Sequence, residues 1–125
     1  QLNKHLQTVT AGWAVLILVL AFLPRWSVSP EIGLNHGMLA HFSAFGILAV
    51  QLFFLLTGNG AGLPGAAVGA WVGAGALGAL VEFGQYLLPY RTYDPWDILH
   101  NAIAALIGIV FAVCIHFYQT TRNLG

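Results

Sequence analysis

The residues able to do chemistry are few and gathered. Between Val81 and Ala102, "VEFGQYLLPYRTYDPWDILHNA" holds three of the four acidic residues and one of the four basic ones. Glu82 and Gln85 are three apart and share a helical face. Asp97, His100 and Asn101 follow at i, i+3 and i+4, again one face. Arg91 lies between the two groups, and His41 stands alone upstream. Three chemistries fit these types. His41, Glu82, Asp97 and His100 supply nitrogen and oxygen ligands for a metal, although their spacing matches no zinc signature. Glu82 beside His41 or His100 is a general acid/base pair. Arg91, helped by Arg25, holds an anionic head group while the carboxylates orient the arginines.

Each residue also has a plain structural reading. Glu82 pairs with Arg91 or, protonated, hydrogen-bonds Gln85. Asp97 caps a helix just after Pro95. His100 hydrogen-bonds Asp97 at a membrane interface. No Ser-His-Asp or Cys-His nucleophile arrangement stands out, and no glycine-rich phosphate loop follows a strand. No catalytic residue is therefore assigned, and the pattern calls for no cofactor.

The elements that position these residues are greasy. Only 6% of the 125 residues are charged, against about 25% in a soluble domain. The expected solvent is lipid. Net charge is zero, which argues against nucleic-acid binding. Four apolar segments stand out, at about 6–23, 38–56, 63–88 and 97–118. Each approaches or exceeds the ~20 residues of a membrane-crossing helix. Backbone groups must pair internally in lipid, so the segments are helices. The expected fold is all-α: one four-transmembrane-helix bundle over 1–125, in antiparallel up-down order. The first segment lacks a small-x-small cleavage site and reads as a span rather than a leader.

Up-down order puts both termini on one side and gathers Arg25, His36, His41, Glu82, Gln85, Arg91, Asp94, Asp97, His100 and Asn101 on the other. Gln51 is the polar residue left at mid-depth. The positive-inside count is level, Lys4 and Arg122 against Arg25 and Arg91. Because Arg91 reads as a site residue, the termini are assigned to the cytoplasm. The third segment repeats Gly65, Gly69 and Gly73 at close-packing spacing, with Gly75, Gly78, Glu82 and Gln85 on nearly the opposite face. That helix is expected to be central. Ala104, Gly108 and Ala112 continue the theme in the fourth segment. Cys114, the single cysteine, is a small apolar filler.

"HFSAF" at His41–Phe45 and "EFGQYLLPYRTYDPWDILHNAIAALIG" at Glu82–Gly108 resemble the VanZ-like family. The correspondence runs through His41, Phe42 and Phe45, then Glu82 and Gln85, Pro89 and Arg91, Asp97 and Asn101, and Gly108. It covers the second to fourth segments. Two positions depart from the family pattern. An Asp-Lys pair that usually precedes the His is replaced by Gly37 and Met38, which removes an ion pair, and Ala104 stands where glycine is common. The resemblance implies a small four-helix protein of the bacterial cytoplasmic membrane. It points to envelope ligands, because the founding member is associated with low-level teicoplanin resistance. It implies no enzyme activity.

Three functions follow as expectations. The first is an outward-facing polar pocket for an anionic envelope ligand, related to a lipid or a glycopeptide. There Arg91 holds the anion, Glu82 and Asp97 anchor Arg91 and the histidines His41 and His100, and Gln85 and Asn101 satisfy buried hydrogen bonds. The second is an accessory subunit of a larger membrane complex, its polar cluster a latch and its Gly-rich helix or four tryptophans a docking surface. The third is an enzyme working through Glu82 with His41 or His100. Membrane lipids are the common partner.

Overall fold

The computed structural model describes residues 2–22, 34–89 and 96–124. Side chains of residues 2, 3, 34–42 and 97 lie outside the description. Among the described residues there are four helices and no strand: α1 (Leu2–Phe22), α2 (Leu34–Gly58), α3 (Leu63–Tyr86) and α4 (Trp96–Leu124). Three stretches are long and apolar enough to cross a membrane: Lys4–Phe22, Leu63–Tyr86 and Ile98–Leu124. The described part of α2 adds a shorter apolar helix, Ser43–Gly58.

The helix ends follow local chemistry. At the end of α2, Gly60 takes φ +96°, a left-handed conformation open to glycine. Its N–H donates to the Thr57 carbonyl at 3.1 Å, and Ala61 N–H donates to Leu56 at 3.0 Å. These two bonds are the Schellman pattern. Gly62 then caps α3 in an extended conformation, and Pro64 sits in the first turn, where a missing N–H costs nothing. α3 closes with Leu87 and Leu88 donating three residues back, to Gly84 and Gln85. α4 continues beyond the apolar segment because "QTTRNL" contains no breaker. There Thr120 and Thr121 donate their hydroxyls to the carbonyls of His116 and Phe117.

Packing places small residues inside and large ones outside. The buried stripe of α3 is Ala66, Ala70, Ala74, Gly78, Val81, Glu82 and Gln85. α4 buries Asn101, Ala104, Ala105, Gly108, Ile109 and Ala112. α2 supplies the bulk through Phe45, Leu48, Ala49 and Phe53. Meanwhile Val15, Val72, Leu80, Phe83, Ile107 and Phe111 are each more than half exposed. A water-soluble monomer rarely leaves so much apolar surface uncovered. Lipid removes that cost, and close van der Waals contact then drives helix association.

α3 touches all three other helices, as its small residues suggested, and so does α2. The α2–α4 interface is the most extensive, whereas α1 packs on α2 and α3 alone. Both expected faces of α3 are used, each in part. Gly65 and Gly75 face open space, while Gly69 and Gly73 meet Leu56 and Leu52 of α2. The main contact face is the alanine stripe, which leads into Gly78 and Glu82. At the α2–α4 crossing, a Cβ built on Gly108 would run into the Gly46 carbonyl oxygen and lie 3.1 Å from its Cα. Only glycine permits that approach. Two tryptophans add cross-links: Trp13 Nε1 donates to the Ala44 carbonyl at 2.9 Å, and Trp71 Nε1 to Ala102 at 3.1 Å.

Candidate functional site

The alanine stripe of α3 ends in polar groups. Successive steps of three or four residues keep Ala74, Gly78, Glu82 and Gln85 on one face. Glu82 is 0% exposed, Asn101 1% and Gln85 8%. Insertion into hydrocarbon costs a mid-helix Asp ~2.5–3.5 kcal/mol, and less near an interface, so an ionisable carboxyl held here is a default candidate for function.

α4 reaches the same end of α3 from the side. A Cβ on Gly78 would lie 2.8 Å from Asn101 Nδ2 and 3.1 Å from Asn101 Cβ. Asn101 thus fills the space that glycine leaves, one turn before Glu82. From α1, the Ala21 carbonyl accepts a 2.7 Å hydrogen bond from Gln85 Nε2. Carbonyls in the last turn of a helix lack an in-helix donor, so Gln85 ties α3 to the end of α1. Phe22, the next residue, lies over Gly84. Three helices therefore converge through Gln85, Asn101 and the chain around Glu82.

Of the residues expected at the site, Glu82, Gln85 and Asn101 come together in this buried patch. His100 is half-buried in the first turns of α4. His41 lies in α2 and Asp97 in α4, but both side chains are outside the described residues, as is the whole of Arg91. Arg25, His36 and Asp94 have no described side chain either. Among the described residues no three His, Cys, Asp or Glu side chains are grouped to hold a metal. Two of the four suggested ligands, His41 and Asp97, fall outside that set.

Sequence reasoning set Gly78 on the face of Glu82 and Gln85 but passed over Ala21 and Phe22 as parts of this patch. The partner of Gln85 carried no readable signal, because a backbone carbonyl has no residue identity.

A family model described as VanZ/LLP1 matches residues 4–116, nearly the whole chain. No curated protein matches the chain, and no solved structure does.

Proposed function

The chain belongs to the VanZ/LLP1 family, and from that premise we propose that its polar end binds an anionic component of the bacterial cell envelope, related to a lipid or a glycopeptide. The observation that carries this reading is the fully buried Glu82, flanked by buried Gln85 and Asn101 from two helices and tied to a third. A lipid-solvated bundle has little reason to hold a carboxyl there unless cations or hydrogen-bond donors are brought to it. In this proposal Glu82 and Asp97 orient Arg91, Gln85 and Asn101 hold the helix ends in place, and His41 and His100 complete the polar rim. Arg91 meets the anion.

The setting is part of the proposal: a single transmembrane domain over 1–125, in up-down order, in the bacterial cytoplasmic membrane with cytoplasmic termini. Pairings along the helices support that order. Gly69 meets Leu56 and Gly73 meets Leu52, an antiparallel progression. Gly46 meets Gly108 while Phe53 places its ring edge-on to His116 at 6.0 Å, a parallel one.

Arg91→Ala tests the site. In nanodiscs, binding of phosphatidylglycerol or teicoplanin is expected to weaken by about 10–100-fold, the loss of one charge-assisted hydrogen bond. Circular dichroism should stay helical. Unchanged binding of both probes removes Arg91 as the anion holder.

A second reading has its own observation. Glu82 and Asn101 are too buried to touch a ligand directly, and Gln85 is already committed to Ala21. On this reading the patch is a clasp in an accessory subunit. Extraction in mild detergent distinguishes it, because a partner copurifying at fixed stoichiometry favours the subunit.

A further inference from the structure

Away from the polar end, α1 and α2 each bury a side-chain oxygen that has no hydrogen-bond partner among the described residues. The first is the Thr10 hydroxyl, on a residue 7% exposed. The other four described threonines, Thr8, Thr57, Thr120 and Thr121, each donate to a carbonyl of their own helix. Thr10 does not. It shares a face of α1 with Trp13 and Ile17, and Trp13 Nε1 donates to the Ala44 carbonyl of α2. That face is turned toward α2.

The second oxygen is Gln51 Oε1. The side chain borders the outer groove between α2 and α4, but its oxygen is buried. Gln51 follows Ala44 by seven residues, two turns on and on the same face of α2. Leu48, 2% exposed, lies between them on that face.

Helix geometry brings the two oxygens to one level. In the up-down order proposed above, α1 and α2 run in opposite directions. The step back from Trp13 to Thr10 and the step forward from Ala44 to Gln51 therefore lead the same way. Their lengths, three and seven residues, differ by four, about 6 Å of helical rise. Side chains lean toward the start of their own helix. Across an antiparallel pair Thr10 and Gln51 thus lean toward each other, which leaves a gap suited to one water. A polar group left dry in apolar surroundings is unfavourable. The amide oxygen can only accept, whereas the hydroxyl can donate. A water accepts the Thr10 proton and donates one of its own to Gln51, so both are satisfied together.

We propose that the α1–α2 seam is a hydration site, in which one water molecule bridges the Thr10 hydroxyl and the Gln51 amide oxygen and joins the two helices. The site is separate from the polar end and stands or falls independently of anion binding.

Two measurements test the bridge. In a double-mutant cycle, Thr10→Val and Gln51→Leu are each expected to lower the folding equilibrium constant, read by SDS titration in mixed micelles. The double variant should fall short of the product of the two losses by about threefold or more. Thr10→Ser keeps the hydroxyl and should leave the effect of Gln51→Leu as it is in the wild type. Radiolytic hydroxyl-radical footprinting in nanodiscs reads the water itself, because radicals form where water is held. Leu48 is expected to be modified despite its burial, and the fully buried Phe53, which packs on His116, to be spared. Thr10→Val should abolish the Leu48 modification. Single losses that multiply overturn the proposal, because the two residues then share no partner. So does a Leu48 as unreactive as Phe53, because no water is then held beside it.

Discussion

The α2–α4 crossing and the α3–α4 contact hold helices together by opposite means. Near Gly46 and Gly108 two backbones press together because neither residue carries a side chain. Near Gly78, Glu82 and Asn101, polar side chains occupy the space, and a hydrogen bond from Gln85 reaches a third helix. Lipid does not distinguish apolar helix faces from itself, so association must come from close packing or from hydrogen bonds that have no better partner. This chain uses both and keeps them apart. The apolar crossing sets the distance between helices. The polar end sets which helix termini meet, and it is the end where the binding residues are proposed.

Three substitutions press on that division, in order of expected effect. Gly108→Leu attacks the apolar crossing, where the new side chain meets backbone that cannot rotate away. The loss of stability is expected at or above ~3 kcal/mol, the upper part of the overpacking range. SDS titration of the folded protein in mixed micelles reads it. A loss under about 1 kcal/mol would mean the two backbones are not in contact.

Gly78→Ala attacks the junction with the polar end. The added methyl meets Asn101, and stability should fall by about 1–2 kcal/mol. The double variant Gly78→Ala/Asn101→Ala removes the obstacle. Its loss should be smaller than the sum of the single losses by ~0.5 kcal/mol or more, the signature of residues in contact. Strict additivity would place Asn101 elsewhere.

Gln85→Leu is the mildest. It removes one hydrogen bond to the Ala21 carbonyl, with an expected cost of about 0.5–1.5 kcal/mol. The informative readout is local. Hydrogen exchange should quicken in the last turn of α1 and remain unchanged at the α2–α4 crossing. Equal protection of α1 in both proteins would show that Gln85 does not tie the helices.

Much of the fold was legible in the sequence because membrane crossing is a demand on composition and length alone. The gap between the apolar segments at 38–56 and 63–88 marked the boundary of α2 and α3, and Ala104, Gly108 and Ala112 were marked as a packing stripe that the structure buries. The polar patch was half legible. An intramembrane Glu with a Gln three residues on announces a buried face, and Glu82 and Gln85 do share one. The packing faces of α3 were legible in outline, but not which residues on them make contact. Glycines catch the eye, yet alanines at the same period pack as closely, and a neighbour's side chain rather than the period decides which face is used. Leu52 and Leu56 of α2 cover Gly69 and Gly73, while nothing covers Gly65 or Gly75.

What the sequence determined by itself is therefore the helices and the kinship: a chain of helices, most of them apolar enough to cross a membrane, belonging to the VanZ/LLP1 family. The tertiary structure decided the pairings. Gln85 meets a carbonyl sixty-four residues away in the chain, Asn101 fills the hollow of Gly78, and Gly46 finds Gly108. A hydrophobic period says that a face will be buried. It does not name the neighbour, because in lipid every apolar face is equally acceptable until shape and hydrogen bonding choose between them.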